Sequence, residues 1–376
     1  MITNGFLIIL LLLTIVKWVK YLLGRKRVLS SEQVNTALLD LLNQERGQQD
    51  PNHNNELNSS RRIPAPLGSL HKSMYAYEKL RVCTHCERYT VLHEPSCLFC
   101  GKGTLRPVHW KAEKLVRRSM RNELLLTLLV TLLAILFARG AEQIIIACVG
   151  GAAAIALLWL NQRKTLSPRT YGELVKLFTR NRQRIIDGLI KNLDTAVEVG
   201  NNKEHKRSYE MFREVATLVQ NDHIRMLQIM QLQSFVLRSD MDLELEPLML
   251  KHFDPHLAAY IGELAKVKRE LIKDNALRYV TSYEDEILDM KDGLSILIGA
   301  AGAAVRKKRY VAIYARFMAR YASKLPKERF LRLYRVISGH PEQEWGELAD
   351  IVSRLYEEQY GMDPESQTSL TRGHSI

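Results

Sequence analysis

Leu124–Ala138 reads LLLTLLVTLLAILFA, and Gln143–Leu160 reads QIIIACVGGAAAIALLWL. Fifteen and eighteen residues pass without a charge, and only Arg139-Gly140-Ala141-Glu142 stands between them. Helices that are apolar on every face are made for hydrocarbon, and a four-residue link suits a helical hairpin. At ~1.5 Å per residue the second run covers roughly 27 Å and the first roughly 22 Å. The first is short for a bilayer core, so Arg121 or Arg139 must snorkel or the bilayer must thin there. A hydrophobic hairpin buried in a soluble domain is the alternative, and the unbroken length of both runs argues against it.

Charge on either side orients the pair. Lys111, Lys114, Arg117, Arg118 and Arg121 precede it, and Arg163, Lys164 and Arg169 follow. The connecting turn carries one charge of each sign, so both outer ends are expected in the cytosol. The second run is rich in small residues, with Gly150/Ala154 and Ala147/Gly151 spaced for close helix contact. The leucine-rich neighbour is the expected partner of that face, and a second copy of the chain fits the same spacing. Cys148 in this run reads as a small packing residue.

A third apolar stretch opens the chain. Gly5–Leu23 is interrupted only by Lys17 and Lys20, which share one helix face and can snorkel beside Trp18 and Tyr21. No Lys or Arg precedes the run and no small-x-small cleavage pattern follows it, which disfavours a cleaved signal peptide. Arg25-Lys26-Arg27 comes after, predicting a signal anchor with its N-terminus outside. The overall charge of +13 agrees, because +9 of it lies in residues 1–160. That unevenness suits the inner face of an anionic bilayer better than a global nucleic-acid-binding charge.

Between the anchor and the hairpin stand Cys83, Cys86, Cys97 and Cys100, spaced C-x2-C-x10-C-x2-C. Two such knuckles present four soft ligands for a tetrahedral ion, and Arg88–Leu92 between them reads as a strand. A disulfide reading loses in a reducing compartment. The second knuckle, Cys97-Leu98-Phe99-Cys100-Gly101-Lys102-Gly103, resembles that of zinc ribbons and rubredoxins. The first, Cys83-Thr84-His85-Cys86-Glu87, lacks the glycine after its second cysteine. The resemblance covers residues 80–105 and implies a docking module built around structural zinc, with no coordination position left open for catalysis. His85 and His93 read as surface groups near the site.

Beyond the hairpin, residues 167–360 show the 3.6-residue period almost throughout, broken at Gly200-Asn201-Asn202, Pro247, Asp254-Pro255, Gly293, Pro326 and Gly339-His340-Pro341. Ser30-Ser31-Glu32 starts an earlier helix, followed by a polar, proline-broken linker over residues 48–68. The fold class is mostly α: three transmembrane helices (a single anchor plus a hairpin), a small β zinc ribbon and a C-terminal cytosolic all-α bundle. The expected divisions are the anchor (1–23), a cytosolic helix and flexible linker (24–79), the ribbon (80–105), a basic juxtamembrane segment (106–123), the hairpin (124–160), the all-α domain (161–362) and a disordered tail (363–376).

Chemistry is sparse. There is no P-loop, G-x-S-x-G, H-E-x-x-H or dinucleotide-binding fingerprint. His252, Asp254 and His256 are explained by a proline turn, and Glu284, Asp285, Glu286, Asp289 and Asp292 by a solvated acidic face. Arg306, Lys307, Lys308 and Arg309 open a basic stretch with Tyr310, Tyr314, Phe317 and Tyr321 at helical spacing. Anionic lipid or phosphate contacts are one reading; an aromatic core stripe with a basic outer face is the plainer one. Leu294–Val305 is apolar but too short to span, so it is expected in a core. The expectation is a non-enzymatic, multi-pass cell-membrane protein that displays a zinc ribbon and a helical domain to the cytosol as an interaction, scaffold or regulatory module. Its partners are membrane lipids and a cytosolic or membrane protein, with a homo-oligomer compatible. The alternatives are membrane-associated nucleic-acid binding and a helical enzyme using the carboxylate clusters.

Overall fold

The computed structural model describes residues 30–43, 62–64, 67 and 73–360. The expected anchor (1–23), the tail (363–376) and most of the linker lie outside the described residues. The described chain is mainly helical, with one three-stranded antiparallel sheet among the described residues. The described residues divide into two compact units: those within 30–43, 73–195 and 217–219 form the first, and those within 62–67, 196–216 and 220–360 the second.

In the first unit, α1 (Ser31–Asn43) begins with a reciprocal cap, in which Gln33 N–H donates to Ser30 Oγ and Ser30 N–H to Gln33 Oε1. Val34, Leu38 and Leu42, four apart, are its buried stripe. The sheet follows as β1 (Arg81–Cys83), β2 (Tyr89–Thr90) and β3 (Leu105–Pro107), in the order β2-β1-β3. From β3 the chain enters α2 (Val108–Leu136) directly, and after a short turn comes α3 (Ala141–Arg180). These two helices of 29 and 40 residues are long and apolar enough to cross a membrane. α4 (Arg182–Asn201) contributes its residues up to 195 to this unit.

Burial changes sharply along the hairpin. Val108, Ala112, Val116 and Met120 recur every four residues and are buried, as are Gln162, Thr170, Leu174, Leu177 and Phe178 on α3. Between these ends the apolar side chains lie bare: Leu125 is 56% exposed, Leu136 75%, Ile146 71% and Leu160 51%. An exposed apolar patch of this size marks a surface that meets a membrane or a partner. At the level where the change occurs, Gln162 Nε2 donates to the Met120 carbonyl at 3.0 Å, and the Arg169 guanidinium meets the Glu123 carboxylate at 3.2 Å. Deeper in, the hydroxyls of Thr127 and Thr131 donate to carbonyls four residues back, which satisfies them without water.

The small residues divide between two faces. A Cβ on Gly151 would sit 2.1 Å from Thr131 Cγ2, so Gly151 lies in the seam between α2 and α3. Gly150 faces open space, and Cys148, expected as a packing residue, is exposed. A two-helix seam covers only one stripe of each helix, which leaves Cys148 among the bare apolar residues.

The second unit contains α5 (His205–Ala216), α6 (Asp222–Gln233), α7 (Pro255–Val267), α8 (Asp274–Ser282), α9 (Glu284–Leu288), α10 (Gly293–Ala304), α11 (Lys308–Ile313), α12 (Ala315–Tyr321), α13 (Lys327–Ser338) and α14 (Glu347–Tyr360). One continuous core runs through it from Leu67 to Val352. The apolar segment at 294–305 is α10, with Ile296, Leu297, Ala300, Ala301 and Ala304 buried. Its small residues let α7 approach closely: a Cβ on Gly299 would sit 2.9 Å from Ala265 Cβ. Part of the segment expected to be a flexible linker is docked here. Ile63 N–H donates to the Ser234 carbonyl at 2.8 Å, Val236 N–H donates to the Ile63 carbonyl, and Leu67 is 5% exposed. Leu67 anchors that stretch to the core by its side chain, and Ile63 is held there by its backbone.

Candidate metal centre

Both knuckles are the same turn. In the first, Glu87 N–H donates to the Cys83 carbonyl at 3.2 Å; in the second, Gly101 N–H donates to the Cys97 carbonyl at 2.8 Å. The residue after each second cysteine is left-handed, with φ +56° at Glu87 and +64° at Gly101. The glycine missing from the first knuckle is therefore replaced by a glutamate held in the same conformation. Its carboxylate meets Lys111 at 3.1 Å and Arg184 at 3.4 Å, two ion pairs that help offset the cost of a left-handed non-glycine.

The turns bring Cys83, Cys86, Cys97 and Cys100 together with all four Sγ atoms within 4.8 Å of one another. Cys83 and Cys100 sulfurs are 3.8 Å apart, and Cys86 and Cys97 sulfurs 3.5 Å. A tetrahedron with bonds of about 2.3 Å to sulfur has edges of about 3.8 Å, so four cysteines this close could hold a metal ion such as zinc. The thiols are free, at separations far beyond a disulfide bond of about 2.05 Å. Gly103, at φ +83°, closes the cage: a Cβ there would lie 3.0 Å from Cys83 Sγ and 3.1 Å from His85 Cβ. His85 and His93 are exposed and do not join the cluster.

Electrostatics within the cage favour a cation. Burial opposes ionisation at Cys83, but the backbone N–H groups of Cys86 and His85 outweigh it and bring that thiol down to about 7. Burial and the neighbouring thiols push Cys86 up to about 12. One thiolate forms readily; four in this volume need a positive ion between them. Four thiolates complete a tetrahedral shell, so such an ion has no open position for substrate.

The sheet is fixed to α4 by contacts that no sequence motif advertises. Asn192, fully buried, accepts on one Oδ1 from both Thr90 Oγ1 and Val91 N–H, each at 3.0 Å. Gly188 lies under Tyr89, where a Cβ would fall 2.1 Å from the Tyr89 carbonyl oxygen. Arg88 pairs with Asp187 at 2.9 Å on the same helix. Glycine and asparagine inside a helical period give little warning of such a role. Their signal, visible only afterwards, is two poor helix formers four apart on the buried face.

The remaining candidates are accounted for otherwise. Asp254 caps α7 by accepting from Leu257 N–H at 2.8 Å, and His256 Nδ1 pairs with Gln233 Oε1 at 2.9 Å. Glu284 is bound by Arg320 and by the Tyr321 hydroxyl. Among the described residues, no other set of three or more His, Cys, Asp or Glu side chains gathers its ligand atoms. Tyr310, Phe317 and Tyr321 are buried, and the helix breaks at Tyr314, so the aromatic stripe belongs to the core. Arg306, Lys307 and Arg309 remain exposed, while Lys308 pairs with Glu342 at 3.4 Å. Compared with known proteins, the chain matches no family model, no curated protein and no solved structure.

Proposed function

We propose that this chain is a non-enzymatic, multi-pass membrane protein that holds a structural zinc ribbon and an all-α domain at the cytosolic face as an interaction, scaffold or regulatory module. The change in burial along α2 and α3 carries the reading. The two helices bury an ordinary stripe near their polar ends and leave leucine and isoleucine bare from Leu125 to Leu160. A hydrocarbon environment makes that arrangement favourable, since burying a leucine fully contributes up to about 1.5–3 kcal/mol and these half-exposed ones a share of it. The N-terminal run supplies a third span, with its N-terminus outside and the flanking basic residues inside.

Zinc stabilises a sheet too small to fold on its own core. The ribbon then rests on α4 through Asn192 and Gly188, which makes a rigid platform next to the membrane. Its partner is a cytosolic or membrane protein. Two experiments test the reading. Reporter fusions at the 139–142 turn and after residue 360 are expected to be external and cytosolic respectively; an exported C-terminus, or a chain extracted by alkaline carbonate, overturns it. In-cell crosslinking is then expected to capture a protein with the wild type and to lose it with Cys83→Ser, and capture unchanged in that variant removes the ribbon from the binding role.

A further inference from the structure

We propose that Arg118, Arg121, Arg163 and Lys164 form a docking site for the headgroup phosphates of anionic phospholipids, an inference that rests on the membrane reading of the hairpin. Four basic residues near the hairpin are already matched with acids. Lys111 pairs with Glu87, Arg117 with Glu113, Arg169 with Glu123 and Lys176 with Glu173. The four named here are exposed and, among the described residues, have no carboxylate partner.

Their level is set by the fold. The hydrogen bond from Gln162 Nε2 to the Met120 carbonyl puts residues 120 and 162 at one height. Arg121 and Arg163 adjoin that height, on α2 and α3. Arg118 lies three residues before Arg121 on the same face of α2, and Lys164 follows Arg163. Just past Arg121 the bare apolar surface begins, with Leu125 56% and Leu126 47% exposed. The Arg163 guanidinium lies 3.7 Å over the Trp159 ring, on the side chain type that settles at a headgroup boundary.

An anion that meets these cations must also meet the leucines beside them. A phosphate carrying acyl chains does both; a nucleic acid or free phosphate satisfies only the charge. Arginine guanidinium groups match phosphate oxygens two at a time, and lysine adds a point charge. Glu123, the acid nearest in sequence to this set, is committed to Arg169 and does not compete.

The test uses the full chain, solubilised in detergent with equal amounts of phosphatidylglycerol and phosphatidylcholine, and counts retained lipids by native mass spectrometry. The wild type is expected to retain phosphatidylglycerol in preference. Replacing all four residues by Gln is expected to reduce that preference by roughly fivefold per charge removed, while the same change at Arg306–Arg309 leaves it intact. Zinc content and far-UV circular dichroism report whether the variant is folded; if it is not, Arg121→Gln and Arg163→Gln singly decide, with Arg121→Lys expected to restore most of the effect. Equal retention of both lipids, no loss in the variants, or an equal loss from the Arg306–Arg309 change overturns the proposal. A wild-type chain that alkaline carbonate extracts from membranes overturns the membrane reading beneath it.

Discussion

At the residue scale, the ribbon depends on a few atoms. Cys83→Ser removes one of four thiolates and is expected to abolish stoichiometric zinc and unfold residues 80–105 locally, while membrane insertion survives; zinc analysis and carbonate extraction read the two effects separately. Gly103→Ala is expected to weaken the same site by about 1–3 kcal/mol, because it adds a side chain at φ +83° and presses a methyl group against Cys83 Sγ. Thermal unfolding of the zinc-loaded chain checks it. Acidification acts on the donor set as a whole. Protons compete with the ion for thiolates, Cys83 titrates near 7 and Cys86 far above, so apparent zinc affinity falls by about tenfold or more for each unit below neutrality. Competition with a zinc-binding dye across pH measures the slope, and a flat profile contradicts a thiolate site. Much of this was readable in advance. Four cysteines at this spacing announce the ligands, because a tight turn delivers ligands three apart in any chain context. Glu87 in a left-handed turn and Gly103 against the cage were not, because backbone conformation at a single residue answers to its neighbours in space.

At the element scale, the packing of the sheet against α4 is the feature most open to attack. Asn192→Ala leaves the buried Val91 N–H and Thr90 hydroxyl without their acceptor and is expected to cost about 1–3 kcal/mol, read as faster hydrogen exchange at Val91 with zinc still bound. The hairpin is open to attack by charge. Leu129, 53% exposed within the apolar run of α2, is expected on replacement by Arg to raise the cost of insertion by about 2.5–3.5 kcal/mol, checked by glycosylation-tag insertion assays. Periodicity foretold helix at almost every stretch, since apolar residues three and four apart say so locally. It could not tell that α2 and α3 continue unbroken from a soluble packed end into an apolar one. Nor could it show that the basic aromatic stretch breaks at Tyr314, where the stripe turns into the core.

On the scale of the whole molecule, two compact units carry different dependencies. Chelation is expected to open residues 80–105 to protease while α5–α14 stay protected, since the core from Leu67 to Val352 contains no metal ligand. Loss of protection in both units together would show that the cysteine cluster supports the entire chain. Local chain chemistry was enough to announce the two long apolar helices, the charge bias around them, the thiol quartet and the helical character of the C-terminal half, because each is written in contiguous residues or short fixed spacings. Folding in space was needed to show which charges are already paired and which stand free, that Asn192 and Gly188 receive the sheet, that Ile63 and Leu67 dock within a polar stretch, and where along one continuous helix burial gives way to exposure. Those facts arise from side chains far apart in the chain meeting one another, and neither composition nor period encodes such meetings.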